Sequence, residues 1–193
     1  LHVDNDKQET TRGTFQQVDG RFPKIIETAT ELLAEAIMMC ANIAPTEYIY
    51  IPGNHDRNTG WHLAYSMSML FKDWKNVTID YEPNPHKVRR IGDVAVGFTH
   101  GDASPKNIDW LMHQLTVGMS DVYLRYLITG HLHNASLKSC ADGSTIREGV
   151  DSFCHSGKWE HEMGYPRTPL LYLKAFLFDG TATPPDTIIG KSR

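Results

Sequence analysis

Apolar residues along the chain recur with two different periods, and the two kinds of segment alternate. Spacings of three and four residues predict helices over 22–43, 59–74 and 104–115. Short apolar runs bounded by turn-forming residues predict strands at 48–51, 77–81, 86–91, 94–98, 122–128 and 170–178, with a hairpin over 135–150. Because helices and strands are interleaved, the chain is predicted to be α/β or α+β. The tail from Thr181 is expected to be loosely held.

Side chains that can bind a metal follow three of the predicted strands. Imidazole and carboxamide groups are good ligands for divalent transition metals. Open α/β sheets bind their ligands at the carboxyl ends of the strands. The groups are Asn54, His55 and Asp56 after the first strand, His100 after the run 94–98, and His131 and His133 after the run 122–128. The pattern therefore predicts a metal site at the edge of a sheet.

Three short motifs occur in a fixed order: Gly-Asn-His-Asp at 53–56, His-Gly at 100–101 and Gly-His-x-His at 130–133. Together they resemble the motifs of the calcineurin-like metallophosphoesterase superfamily. The resemblance implies a two-sheet β-sandwich flanked by helices. It also implies metal-dependent hydrolysis of phosphoesters, as a phosphatase, phosphodiesterase or nuclease, with two divalent ions that are Mn, Fe or Zn.

The same resemblance assigns metal ligands residue by residue. Asn54, His100 and His131 resemble the ligands of one metal, and His133 resembles a ligand of the other. Glycine beside His100 and beside His131 allows the backbone to approach an ion or a phosphate closely.

His55 resembles the catalytic histidine that lies over the scissile phosphate, and Asp56 resembles the carboxylate that orients it. An aspartate beside a histidine fixes the tautomer of the ring and raises its basicity. A general acid that protonates a leaving alkoxide requires this arrangement.

Two N-terminal motifs of the family, Asp-x-His and Gly-Asp, do not occur upstream of Asn54. Leu1-His2 resembles the tail of the Gly-Asp-x-Leu/Phe-His motif of double-strand-break repair nucleases, which makes His2 a third candidate catalytic residue. We therefore expect residues 1–193 to be the C-terminal part of a single catalytic domain without its first β-α unit. One metal or fewer is expected in this chain. The alternative is a truncated, catalytically incompetent module that binds a metal or ligand or has a structural role.

Composition and net charge narrow the classes of partner and compartment that the sequence allows. The net charge of −4 argues against a protein that clamps long nucleic acid by general basicity. A phosphoester substrate, including a nucleotide or nucleic acid, stays open because bound divalent ions would dominate the local field. Three cysteines without a Cys-x-x-Cys pair favour a reducing, cytoplasmic compartment. No apolar stretch is long enough to predict a membrane span, and the sequence leaves the oligomeric state open.

Two charged segments have competing interpretations. Asp4 and Asp6 are interpreted as part of a solvated acidic loop rather than as neighbours of a metal site. Lys87, Arg89 and Arg90 are interpreted as a solvated sheet edge rather than as contacts to nucleic acid.

Overall fold

The computed structural model describes residues 1–18, 20–102, 108–131, 136–139, 145–150 and 172–191. The chain divides into two compact units, Leu1–Asn84 and Pro85–Arg193. The metal ligand predicted at His133 lies outside the described residues, as do the first residues of the helix predicted over 104–115.

The first unit packs two helices against a short parallel sheet. Its elements are α1 (Phe22–Ala41), β1 (Thr46–Ile49), α2 (Arg57–Leu70) and β2 (Val77–Asp80). Strands β1 and β2 are parallel, with Thr46 opposite Val77. The buried apolar stripes of both helices meet β2 in one core, which consists of Ala34, Ile37, Ala41, Met67, Phe71 and Val77. The helix predicted over 22–43 is therefore present, and it ends two residues earlier, at Ala41.

Helix α2 differs from its prediction at both ends. It begins at Arg57 and ends at Leu70, whereas the sequence pattern predicted 59–74, a range that would put Thr59 at the N-terminus of the helix. Thr59 instead lies inside the first turn, and the side chain that binds the free N–H groups of that turn is Asp4. A cap supplied by a distant segment leaves no signal in the helix sequence itself.

Asp4 is buried, with only 8% of its surface exposed, so its interpretation as part of a solvated loop is wrong. Its Oδ1 accepts hydrogen bonds from the main-chain N–H of Asn58 at 2.8 Å and of Thr59 at 2.7 Å. Its Oδ2 accepts a bond from Nδ2 of Asn58 at 2.8 Å. Burial by itself raises the pKa of Asp4, but the bonds from Thr59, Thr11 and Asn58 outweigh it and hold that pKa below its ordinary value.

Replacing Asp4 with asparagine should lower the free energy of unfolding by about 1–3 kcal/mol, because the helix cap loses its charge and faces another amide donor. Since the pKa of Asp4 is depressed in the folded state, its contribution is present above its ordinary value of 3.8 and is lost as the pH falls through the folded-state pKa. Urea unfolding of both proteins between about pH 3 and pH 7 checks this, and their difference should shrink at the acid end. Asp73→Asn, at an exposed position, is the matched control; an equal loss in both variants would contradict the cap.

The second unit contains a five-stranded mixed sheet, a helix and a two-stranded sheet. Its elements are β3 (His86–Ile91), β4 (Val94–Thr99), α3 (Ile108–Leu115), β5 (Leu124–Thr129), β6 (Ser136–Ser139), β7 (Thr145–Gly149), β8 (Tyr172–Leu177) and β9 (Asp186–Lys191). The strand order of the larger sheet is β3-β4-β5-β7-β6. Strands β4, β5 and β7 are parallel, whereas β3 and β6 are antiparallel edge strands.

Both faces of the larger sheet are covered within this unit. On one face Tyr126 packs against Phe176 of β8 and against Phe178. On the other face α3 places Met112 against Ala95 and Leu127. The predicted α/β class is therefore confirmed, and two sheets with a flanking helix form a sandwich in this unit.

Packing under α3 is close enough to require glycine in β4. A Cβ built on Gly97 would lie 2.3 Å from Sδ of Met112, well inside van der Waals contact. The sequence marks this position only as a gap in an apolar run.

Two other expectations for the second unit need correction. The tail predicted to be loose contains β9, which pairs with β8 so that Ala175 lies opposite Ile188. The pair Pro184-Pro185 ends just before that strand, so the prolines remove none of its hydrogen bonds. Strand β3 is an edge as predicted, but Lys87 is buried, with 5% of its surface exposed.

None of the helices in the described part of the chain combines the length and the apolar character that crossing a bilayer requires.

Candidate functional site

His100 and His131 directly follow two neighbouring parallel strands. Thr99 at the end of β4 pairs with Thr129 at the end of β5, so the residues after both strands leave the same edge of the sheet. The main-chain N–H of Gly130 donates to the carbonyl oxygen of His100 at 3.1 Å and continues the pairing by one residue. The register of the sheet therefore brings the two histidines together.

The backbone of this edge is unusual at two positions. His131 has a φ of +64° and Gly101 has a φ of +97°. A Cβ on Gly101 would lie 3.3 Å from the carbonyl oxygen of Gly130, so a side chain there would be strained as well as crowded. A non-glycine residue in the left-handed region costs about 1–3 kcal/mol, and such residues cluster at functional sites.

The two imidazole rings have the separation of metal ligands. Their centroids are 5.1 Å apart and their planes are inclined by 62°. With a metal–nitrogen distance of about 2.0–2.1 Å, ligating rings have centres roughly 3.2 Å from the ion, so two of them at a tetrahedral angle lie about 5.2 Å apart. The separation of the His100 and His131 rings is therefore compatible with two ligands of one divalent ion, and their role as ligands stays a prediction.

The described residues contain no larger cluster of the side chains that usually bind metals. No group of three or more His, Cys, Asp or Glu residues among them is arranged to hold a metal. Asn54 has a carboxamide and would not be counted in such a group, and its role stays a prediction. The role of His133 also stays a prediction.

The first unit carries the motif 53–56 between β1 and α2. The main-chain N–H of Tyr50 donates to the carbonyl oxygen of Asp80 at 2.9 Å, which extends the parallel pairing to the start of the motif. The Tyr50 hydroxyl donates to the carbonyl oxygen of Arg57 at 2.8 Å and so holds the first residue of α2. Pro52 and Gly53 are buried, whereas Asn54, His55 and Asp56 are half-buried. The loop thus presents its three polar side chains at the carboxyl end of β1.

Within this unit, the chain start lies against the motif. The ring centroids of His2 and His55 are 5.4 Å apart, and the planes are nearly perpendicular at 87°. Oδ2 of Asp56 lies 2.5 Å from the main-chain nitrogen of Leu1. The structure therefore places the predicted catalytic residue His2 beside the other two, His55 and Asp56. Orientation of His55 by Asp56 stays a prediction.

Burial next to Asp56 changes the acidity of two tyrosines. Desolvation, and then the negative charge of Asp56, raise the pKa of Tyr48 to about 12. The same two causes raise the pKa of Tyr50 above its ordinary value. Both phenols therefore stay protonated at neutral pH, and the Tyr50 hydroxyl remains the hydrogen-bond donor that supports the loop.

Sequence reasoning missed two residues that build this part of the molecule. Asp4 caps α2, and Thr11 accepts a hydrogen bond from the main-chain N–H of Arg57 at 3.1 Å through its hydroxyl. Both lie in a polar segment whose only signal was its richness in Asp and Thr.

No protein-family model and no curated protein matches the sequence. Among solved structures, a Vps29 double mutant from Entamoeba histolytica is similar to this chain. The identity is 14% and the TM-score is 0.38, over 84% of this chain and 89% of that chain. A likeness of this size does not assign a ligand or an activity.

Proposed function

We propose that the protein hydrolyses phosphoesters with the help of divalent metal ions. The observation that carries the proposal is the pair His100–His131, with ring centroids 5.1 Å apart at the carboxyl ends of adjacent parallel strands. The motif 53–56 supports it, because His55 is half-buried in a loop that also carries a carboxamide and a carboxylate.

A bound divalent ion would supply Lewis-acid chemistry that stabilises charge on the phosphoryl oxygens. Nε2 or Nδ1 of His100 and His131 would hold it, since the two ring centroids are 5.1 Å apart. Asn54 and His133 are the further ligands that the motif order proposes. A two-metal site with Mn, Fe or Zn remains part of this proposal.

His55 is the proposed general acid. Imidazole can donate a proton near neutral pH, and a leaving alkoxide needs one. The ring of His2 packs edge-on against the ring of His55, with centroids 5.4 Å apart, and so limits where the His55 ring can lie. His2 is therefore proposed to position His55 and not to attack the substrate.

Replacing His55 with asparagine should lower kcat by about 10²–10⁴-fold, the usual contribution of a general acid, while metal content stays unchanged. The measurement is hydrolysis of bis(4-nitrophenyl) phosphate and of 4-nitrophenyl phosphate with Mn²⁺, so that diester and monoester are compared on the same protein.

The control is His113→Asn, an exposed histidine on α3, which should keep full activity. Equal activity of the His55 and His113 variants would overturn the assignment of the acid. Preference for the diester would support a nuclease or nucleotide phosphodiesterase, and preference for the monoester would support a phosphatase.

A second candidate is a module that binds one metal without hydrolysis. It is favoured by the arrangement of the described residues, where two imidazoles meet but no third His, Cys, Asp or Glu joins them. Metal binding by His100 and His131 without turnover of either ester would support this module. The cytoplasmic location predicted from the cysteines is proposed for both candidates.

A further inference from the structure

A cleft of about 490 Å³ lies in the first unit, beside α1 and the first turns of α2. We call it the α2 cleft. Its size falls within the range of roughly 300–1,000 Å³ that small-molecule sites occupy. None of the metal and catalytic residues proposed above lines it.

The α2 cleft combines an apolar wall with carboxylates. Phe22, Ile26 and Leu63 form the wall, whereas Asp4 and Asp6 supply negative charge. No Lys or Arg is among the described residues that line it. Asp4 and Asp6 together give two negative charges, and no lining residue carries a permanent positive charge.

The carboxylates of Asp4 and Asp6 have different roles. Asp4 caps α2, and its depressed pKa keeps it ionised at neutral pH. Its charge offsets the positive end of the α2 helix dipole. Asp6 is exposed, and within the described residues its carboxylate takes part in no hydrogen bond or ion pair. Asp6 is therefore the group available to a ligand.

We infer that the α2 cleft binds a small organic cation with an apolar body, such as an ammonium carried by an aromatic or aliphatic chain. The apolar body would lie on Phe22, Ile26 and Leu63, and the cationic head would reach Asp6. Charge-assisted hydrogen bonds to a carboxylate are stronger than neutral ones, so the head sets the specificity. This site is independent of the proposed phosphoester hydrolysis.

The test uses 2-phenylethylammonium as the probe and 2-phenylethanol as its neutral counterpart. Methyl-labelled protein of residues 1–193 is titrated with each compound up to about 10 mM, and shifts of the Ile26 and Leu63 methyl signals give the dissociation constants. The cation should saturate the shifts and bind at least about fivefold more tightly than the alcohol.

Two matched pairs of variants distinguish binding in the α2 cleft from effects of the same substitution elsewhere on the protein. Asp6→Asn should weaken the cation by about three- to fivefold and leave the alcohol unchanged, whereas Asp73→Asn should change neither. Ser66→Trp fills the cleft and should abolish both shifts, whereas Ser68→Trp, on the same helix but outside the lining, should not.

The inference is overturned by equal binding of cation and alcohol, by equal effects of the Asp6 and Asp73 variants, or by shifts that do not saturate. Circular dichroism of the two tryptophan variants shows whether either has lost the fold. If Ser66→Trp is misfolded, the Asp6 and Asp73 pair still decides.

Discussion

Replacing His131 with alanine should lower the affinity for Mn²⁺ or Zn²⁺ by more than about 100-fold, because loss even of an outer-shell partner costs 10–100-fold. The ring of His131 lies against the ring of His100 at this edge, with centroids 5.1 Å apart. Native mass spectrometry after equilibration with Mn²⁺ counts the ions per chain, and titration calorimetry gives the affinity.

Two further variants show whether a loss of metal affinity in His131→Ala comes from the missing ring. His131→Gly removes the ring and accepts the φ of +64° without strain, so it separates ligand loss from backbone effects. His113→Ala, on α3, removes an exposed histidine and should leave the metal content unchanged. Unchanged metal content in His131→Gly would contradict the metal site. Two ions on the unaltered chain would support the two-metal proposal, and one ion would support the metal-binding module.

Replacing Lys174 with methionine should lower the free energy of unfolding by about 3–5 kcal/mol, the usual cost of removing one partner of a buried ion pair. Lys174 on β8 donates to Oε1 of Glu148 on β7, and the Tyr126 hydroxyl on β5 donates to Oε2 of the same carboxylate. The side chains of Lys174 and Glu148 are 17% and 8% exposed. Without Lys174, a carboxylate remains inside an apolar layer with half of its partners.

Urea unfolding of Lys174→Met, Glu148→Gln and the double variant measures this coupling. The double variant should recover much of the loss, because the uncompensated charge is then absent. Lys24→Met is the control: Lys24 and Glu27 form an exposed pair at 2.9 Å, and its loss should hardly change the stability. An equal loss of unfolding free energy in Lys174→Met and Lys24→Met would show that the buried pair stabilises the fold no more than the exposed pair.

The helices and most strands could be predicted because their apolar periods are local. Strand β3, predicted over 86–91, was placed at its observed bounds, and α1 differed by two residues at its end. The prediction was wrong where a partner far along the chain decides the outcome. Asp4, more than fifty residues away, moves the start of α2. Pairing with β8 orders β9, which a pattern rich in Pro and Thr did not predict.

The burial of charged side chains was the other feature that the sequence did not predict. Lys87 is buried at a sheet edge, and Glu148 with Lys174 lies between two sheets. A sequence pattern treats such residues as solvent-facing, since isolated charges are costly to bury. Only the partners that the fold brings near them make their burial acceptable.

The sequence by itself determined which chemical groups stand at strand ends, because a histidine after an apolar run is a local feature. It thus identified His100, His131 and the motif 53–56 as candidates. The tertiary structure alone decided that β4 and β5 are neighbouring and parallel, which places the two rings 5.1 Å apart. Strand order depends on which faces must be buried together, and that is a property of the whole unit rather than of any one run.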